Sequence, residues 1–172
     1  MDALKAILSR RAVREFTKQP VALEQLIKIA DAGRHAMSAR NQQPWHFIIV
    51  REPKTLTELG ALCTTGRFVG GAPSAIVVLK DKGNQRWGDS DCAQAVQNMA
   101  NAAWAMGLGT CWVGHFDGQK IAAILGVPDS WAVFTVLPFG SPAPSEIASR
   151  GPRLRPRAET VDSEHFGRPA VS

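Results

Sequence analysis

Apolar positions at helical spacing dominate the middle of the chain and predict a central helix there. Between Asp91 and Met106 they surround most of the helical cylinder. Asp89, Ser90 and Asp91 offer an N-cap, and Gly107 or Gly109 a C-cap, so the pattern predicts a helix of roughly four turns. One polar stripe remains on this helix, made of amides spaced three and four apart: Gln94, Gln97, Asn98 and Asn101.

This polar stripe contains no charged residue. A helix face in water normally carries Lys and Glu. An amide-only stripe therefore favours a helix that is covered on both sides, by its own core on one side and by a second subunit or a ligand on the other. The alternative is an ordinary core helix with a weakly polar outer face.

Shorter patterns on either side of the central helix predict further helices and strands. Helices are expected at Ala3–Ser9, from Leu23 to about Gly33, from Pro53 to about Leu62, and from the N-cap Asp117 to Gly126. Strands are expected at Trp45–Val50, Ala75–Leu79, Thr110–Val113 and Trp131–Leu137, with an extended segment at Arg11–Phe16.

Alternation of strand and helix, taken alone, predicts a doubly wound parallel sheet. No glycine fingerprint supports a nucleotide site in such a sheet, because neither GxGxxG nor GxxxxGKS follows a strand. From Pro138 onward the chain is rich in Pro, Gly, Arg and Ser and has little capacity for a core of its own. A tail of about 30 residues without packing is unusual in a compact domain, so we expect it to pack on a partner subunit.

Length and composition indicate one domain, spanning residues 1–172. The chain has no apolar run near the roughly 20 residues of a membrane span, and Met1–Arg14 lacks the apolar centre of a signal peptide. The three cysteines are widely spaced and odd in number, which favours free thiols in a reducing cytoplasm. The four histidines show no ligand spacing, so we expect no metal centre. Because no apolar run is long enough for a span, we also expect no membrane association.

The net charge of +5 comes largely from arginines near the two ends of the chain. They are Arg10, Arg11 and Arg14 near the start and Arg150, Arg153, Arg155 and Arg157 near the end. Guanidinium groups match phosphate oxygens, so two compact groups fit a small anionic ligand. A nucleic-acid binder more often carries a lysine-rich stripe with exposed aromatics. Nucleic-acid binding through the basic tail is therefore an alternative that we do not adopt.

Four segments together resemble the FMN-dependent nitroreductase family: SRRAVREF, SARNQQPWHF, QNMANAAWAMGLGTCWVG and LGVPDSWAVFTVLPFGSP. They occur in the family's order, and RLRPRAE resembles its basic C-terminal motif. The resemblance implies an α+β, nitroreductase-like three-layer fold with a central mixed, mainly antiparallel sheet flanked by helices, in place of the parallel sheet. It also implies a domain-swapped homodimer with FMN at each interface, in which 143–172 is an extended C-terminal arm packing on the partner subunit.

The same resemblance assigns the arginines near the start of the chain to the cofactor. Arg10 and Arg14 match the basic pair that holds the FMN phosphate and the pyrimidine side of the flavin, and Arg11 accompanies them. A cation near the pyrimidine stabilises the reduced flavin. Ala12 stands where the family commonly has Ser, which removes one hydrogen bond worth about 1 kcal/mol.

Three further segments are assigned to the cofactor by resemblance. Ser38, Ala39 and Asn41 match a loop that reaches the flavin from the other subunit, with Met37 in place of the usual Pro. The segment beside the reactive edge of the ring is matched by Trp112, Val113 and Gly114. The tail residues that close on the phosphate are matched by Arg153 and Arg155.

The activity that the resemblance implies is hydride transfer from NADH or NADPH, through flavin N5, to an electron-poor acceptor such as a nitroaromatic or a quinone. Turnover is expected to be ping-pong, and no side chain is expected to be catalytic, because the flavin is the reactive centre. Two alternatives stay open. One is a family branch with a different acceptor, such as an enoyl, dehalogenating or flavin-cleaving enzyme. The other is a flavin-binding module or interaction protein without turnover.

Overall fold

A computed structural model describes residues 2–148 and 154–170 of the chain. In these ranges four strands form one sheet: β1 (Trp45–Val50), β2 (Ser74–Asp81), β3 (Gly109–Thr110) and β4 (Trp131–Gly140). Their order is β1-β2-β4-β3, and every neighbouring pair is antiparallel. The α-helices are α1 (Ala3–Ser9), α2 (Leu23–Arg34), α3 (Pro53–Leu62), α4 (Gly88–Ala105), α5 (Gly118–Leu125) and α6 (Pro144–Ala148). None of the helices in these ranges is long and apolar enough to cross a membrane.

The connection between β1 and β2 explains why the sheet is not parallel. Strand β2 begins where β1 ends, since Val50 lies opposite Ala75. Between these strands the chain forms α3 and a short 3-10 turn, Arg67–Gly71, which pack against each other. The chain therefore leaves one end of the sheet and returns to the same end. The parallel sheet expected from alternation alone is therefore wrong. Helical periodicity could not reveal this, because it is the same for an excursion of this kind and for a crossover to the opposite end of the sheet.

The extended segment near the start of the chain gives the sheet one parallel partner. Ala12 pairs in parallel with Thr110 of β3, and the Val13 N–H donates to the Thr110 carbonyl at 2.9 Å. Further along, Phe16 pairs in antiparallel fashion with Pro142, just after β4. The sheet is thus mixed and mainly antiparallel, which confirms the expectation from the family resemblance.

Strand β2 is buried on both faces and divides the core into two halves. Ala75, Val77 and Leu79 join the apolar cluster with α3 and α5. Ile76 and Val78 join the cluster with α2 and α4. Because side chains alternate along a strand, a continuous run of apolar residues in β2 supplies both halves. The result is three layers, helix–sheet–helix, as expected.

The central helix α4 buries its apolar side and leaves its amide stripe at least partly open to solvent. Gly88 begins the helix, so the expected N-cap residues Asp89, Ser90 and Asp91 lie within its first turn. Gln94 and Gln97 are exposed, whereas Asn98 and Asn101 are half-buried. Cover from a second subunit or a ligand on this side stays a prediction.

Helices α1 and α2 carry apolar side chains that the single chain does not bury. Five of them are at least 40% exposed, and we call them the α1–α2 face: Leu4, Ile7, Leu8, Leu23 and Ile27. Both helices border a groove of about 490 Å³ whose lining includes Asn98 and Asn101 of α4. Clusters of exposed apolar residues beside a groove are typical of interaction surfaces.

Residues 154–170 form the described part of the C-terminal tail. Every residue in this segment except Ala170 is exposed, and the Ala170 N–H donates to the Val161 carbonyl within the same segment at 2.9 Å. Leu154 and Phe166 expose nearly all of their side chains. Packing of 143–172 on a partner subunit, and its exchange between subunits, stay predictions.

We predict that Gly60→Ala destabilises the fold, because Gly60 of α3 lies against the 3-10 turn. An added Cβ would be 2.5 Å from the Gly70 amide nitrogen. Overpacking of this kind lowers the free energy of unfolding by about 1–3 kcal/mol, which urea titration measures. Gly71→Ala is the control, since a Cβ there meets no atom within 4 Å, and it should change stability by less than about 0.5 kcal/mol. Equal unfolding midpoints for the two variants would contradict the close packing.

Candidate functional site

The arginines near the start of the chain lie along the β3 edge of the sheet. Val13 is fully buried, whereas Ala12 and Arg14 are exposed. A side chain at Gly109 would collide with Val13, since an added Cβ would be 2.5 Å from Val13 Cγ2. The glycine therefore lets the segment approach β3. Alternation along the extended segment then directs Ala12 and Arg14 away from the core.

Glu146 of α6 holds this segment from its other side. Its Oε1 accepts from the Arg14 N–H at 2.6 Å and from the Glu15 N–H at 3.0 Å. Arg11 Nη1 donates to the carbonyls of Glu146 and Ile147, at 3.5 and 3.4 Å. The Arg11 guanidinium also lies 5.6 Å from the centre of the Trp104 ring of α4, in a cation–π contact. Arg11 thus anchors the segment to the body of the protein.

The residues that follow β3 form an exposed edge beside Arg14. Trp112 is 44% exposed and packs edge-on against Phe134, with ring centroids 5.4 Å apart. Gly114 is exposed, and a Cβ there would meet only the Trp112 ring, at 3.8 Å. The side chain of Val113 lies in the core, and the Val113 carbonyl accepts from Thr135 Oγ1 at 2.8 Å. Val113 therefore supports the edge, and Trp112 and Gly114 present it to solvent.

Cys111, the residue after Thr110, lies within reach of the charges of both Arg10 and Arg14. Burial raises the pKa of this thiol, the Arg14 cation lowers it, Glu146 raises it and the Arg10 cation lowers it. Both guanidinium groups therefore act on Cys111 through space. We call Arg10, Arg14, Thr110, Trp112 and Gly114 the basic edge.

Two buried polar atoms of the basic edge have no hydrogen-bond partner in the described chain. They are Arg10 Nε and Thr110 Oγ1. Buried polar groups are nearly always bonded, so an orphaned donor points to a ligand or to water. A guanidinium and a hydroxyl without partners fit an anionic, phosphate-bearing ligand. The residues present therefore suit the phosphate of FMN.

The loop with Ser38, Ala39 and Asn41 lies at the other end of α4. The Ala39 N–H donates to Asp91 Oδ2 at 3.2 Å, in the first turn of α4, whereas Arg11 lies on Trp104 in the last turn. At 1.5 Å per residue, these ends of the helix are about 20 Å apart. Within one chain the structure pairs the segment of Arg10, Arg11, Ala12 and Arg14 with Thr110, which stands just before Trp112, Val113 and Gly114. It does not bring the loop to them.

The two tail arginines are only partly described. Arg153 lies outside the described residues. Arg155 is exposed and lines a cavity of about 530 Å³ with Leu154, Arg157 and Thr160. Another cavity, of about 590 Å³, lies beside α5 and is lined by none of the predicted site residues.

Three residues that matter for this geometry are missed by the sequence reasoning: Asp91 as a loop contact, Thr110 and Glu146. Thr110 belongs to the family-like segment QNMANAAWAMGLGTCWVG, so its place in that motif could have identified it. Glu146 and Asp91 contact residues more than 50 positions away in the chain. No local pattern signals such contacts.

The model of the nitroreductase family matches residues 7–66 and 61–141. The chain therefore belongs to the nitroreductase family, which confirms the resemblance of the four segments.

Individual relatives agree with this assignment. A protein of Archaeoglobus fulgidus, named by inference as an NADH dehydrogenase/NAD(P)H nitroreductase, is 33% identical over 149 residues, which cover 82% of this chain and 86% of the relative. The FMN reductase (NADPH) of Bacillus subtilis is 26% identical over 180 residues, which cover 91% of this chain and 72% of the relative. A crystal structure from Parabacteroides distasonis carries the same inferred name, NADH dehydrogenase/NAD(P)H nitroreductase. It matches this chain with a TM-score of 0.83 and 29% identity, covering 95% of this chain and 98% of the other.

We predict that none of the three cysteines of the folded protein reacts as a free thiol at pH 8. Burial raises the pKa of Cys63 to about 11 and that of Cys92 to about 12, and it raises the pKa of Cys111 as well. The thiolate is the reactive form, so reaction should be slow below those pKa values and accelerate as the pH rises towards them. A disulfide reagent such as DTNB measures the rates, and unfolded protein is the control. Fast labelling of Cys111 in the folded protein would contradict its role as a packed side chain.

Proposed function

We propose that this protein is an FMN-dependent oxidoreductase that uses NADH or NADPH to reduce electron-poor acceptors such as nitroaromatics or quinones. The observation that carries the proposal is the basic edge, where the buried Arg10 Nε and Thr110 Oγ1 have no partner in the described chain. The family assignment and the names of its relatives support it.

The chain's own residues have separate tasks in this proposal. Arg10 and Arg14 bind the phosphate and supply positive charge beside the pyrimidine side of the ring, while Arg11 keeps their segment in place. The exposed backbone at Gly114 would let the ring approach closely, because glycine carries no side chain. When bound in this site, FMN would supply the hydride chemistry between nicotinamide and acceptor, and successive use of one site by the two would make turnover ping-pong.

We further propose that the flavin lies between two copies of the chain. The loop with Ser38, Ala39 and Asn41 lies about 20 Å along α4 from the residues beside Trp104. One chain therefore cannot place both this loop and its basic edge against the same flavin ring. A second copy supplies the loop. The α1–α2 face and the exposed apolar residues of the tail are the surfaces that such a dimer would bury, and Arg153 and Arg155 would reach the phosphate through the exchanged arm.

The test of this function is spectroscopic and kinetic. Pure protein should show the visible absorbance bands of bound flavin and should oxidise NADH or NADPH with menadione or a nitrofuran as acceptor. Flavin-loaded protein without oxidation above background would favour a binding module. Colourless protein that does not bind added FMN would end the oxidoreductase proposal. Retention on DNA that falls steeply with salt would favour nucleic-acid binding.

We predict that Arg10→Gln weakens FMN binding by about tenfold or more, because a hydrogen bond to a charged group contributes roughly 1.5–3 kcal/mol. Quenching of flavin fluorescence on titration into apoprotein measures the affinity. Arg51→Gln is the control, since Arg51 is exposed after β1 and outside the basic edge. Equal FMN affinities for the two variants would show that Arg10 does not bind the cofactor.

We predict that Leu8→Asp dissociates the dimer and weakens FMN binding with it. Leu8 is among the most exposed residues of the α1–α2 face, and a buried unpaired carboxylate at an interface is costly. Sedimentation velocity at micromolar concentration measures the oligomeric state. Ile124→Asp is the matched control, because Ile124 is an exposed apolar residue of α5 in the opposite helical layer. A Leu8→Asp protein that stays dimeric and keeps its flavin would exclude this face as the interface.

A further inference from the structure

The loop between α2 and β1 holds an unfavourable backbone conformation. Arg40 and Asn41 both have φ of 55°, and Gln43 has φ of 50°. Asparagine tolerates this left-handed region, whereas arginine and glutamine rarely adopt it. Three such residues within four positions persist only where contacts outside the loop impose the conformation.

Most hydrogen bonds of this loop cannot impose it, because both partners belong to the loop. The Gln43 N–H donates to Ser38 Oγ at 3.0 Å, and Gln43 Nε2 donates to Asn41 Oδ1 at 3.0 Å. Asn84 Nδ2 donates to Gln42 Oε1 at 3.0 Å, but this bond joins two exposed side chains on neighbouring loops. Contacts of this kind do not fix the loop relative to the body of the protein.

Asp91 provides the bond that ties the middle of the loop to a rigid element, whereas the end of the loop is held by the Pro44 carbonyl, which accepts from the Asp81 N–H of β2 at 3.0 Å. Its Oδ2 accepts from the Ala39 N–H at 3.2 Å, and its residue is only 3% exposed. Asp91 lies in the first turn of the 18-residue helix α4, where the positive end of the helix dipole stabilises an anion.

A buried carboxylate is an expensive way to hold a loop. In the part of the chain that the structure describes, no Lys, Arg or His forms a salt bridge with Asp91; the neighbouring Asp89 is the one paired, with Lys80 at 2.6 Å. Burial of a charge without a counter-ion costs stability that an apolar residue would not. The need to hold the loop in position therefore explains a buried Asp91 better than a contribution to the stability of the fold does.

We propose that Asp91 is a positioning residue for flavin binding, which fixes Ser38, Ala39 and Asn41 through the Ala39 N–H. This inference rests on the proposed function, because it takes the loop as the surface that meets the flavin of the other subunit. Asp91 touches neither cofactor nor substrate. It acts through the backbone of the loop, at the end of α4 remote from its own chain's basic edge.

The experiment compares Asp91→Ala, Asp91→Asn and Asp89→Ala in the full-length protein. One readout is FMN affinity, by fluorescence titration of apoprotein. The other is hydrogen–deuterium exchange of the peptide 36–44, which needs no flavin. We expect Asp91→Ala to weaken FMN binding about tenfold and to accelerate exchange at Ala39 by a similar factor. Asp91→Asn keeps an acceptor oxygen and should restore most of both. Asp89→Ala removes a carboxylate from the same helical turn and should change neither.

Two results would overturn the proposal. One is Asp91→Ala that matches Asp89→Ala in both FMN affinity and exchange. The other is Asp91→Ala with a lower melting temperature but unchanged FMN affinity of its folded fraction, which would make the role purely structural. Should Asp91→Ala fail to fold, Ala39→Pro tests the same bond from the donor side, because proline lacks the N–H yet fits the first position of a helical turn. Normal FMN affinity in Ala39→Pro would also overturn the proposal.

The proposed function fails separately from this inference. Wild-type protein that binds no FMN would remove both the function and the part assigned to Asp91 in flavin binding. If wild-type protein binds FMN but the variants at Asp91 and Asp89 behave alike, only the positioning role of Asp91 is excluded and the proposed function stands.

Discussion

One backbone pairing, between the extended N-terminal segment and β3, determines the geometry of the candidate site. The hydrogen bond from Val13 to Thr110 and the space left by Gly109 seat Val13 in the core. Since successive side chains alternate, Arg14 must then project at the exposed edge. Glu146 accepts from the Arg14 N–H on the other side of the segment. The N-terminal segment thus covers part of a sheet edge that would otherwise offer an open ladder of hydrogen-bonding groups, and Arg14 projects from it.

Helix α4 relates this edge to the rest of the molecule. It forms the centre of one apolar cluster, with Met99 and Ala103 fully buried. Its two ends contact different segments of the candidate site. The last turn carries Trp104 beneath Arg11, and the first turn carries Asp91 beneath Ala39. A rigid rod between two contact regions keeps them apart within one chain. In the proposed dimer, the contact region at one end of α4 would meet the contact region at the other end of the partner's α4.

Local patterns predicted the elements well, because their signals lie within a few residues. Ala3–Ser9, Trp45–Val50 and Pro53–Leu62 begin and end in the structure where apolar spacing, proline and capping residues put them. Strand direction could not be predicted in this way, since α3 makes an excursion that periodicity does not distinguish from a crossover. For the site, family motifs supplied Arg10, Arg14 and Gly114. The contacts of Asp91 and Glu146 join residues distant in the chain, and only the folded backbone brings those together.

The separation of the two contact regions by the length of α4 has a thermodynamic consequence. Under the proposed assignment, each complete pocket exists only in the associated state, so cofactor retention and subunit association are linked equilibria. Dilution then releases flavin even when the intrinsic affinity of the pocket is unchanged, and added flavin drives association. Holoprotein content would therefore depend on the concentration of the polypeptide as well as on the supply of cofactor.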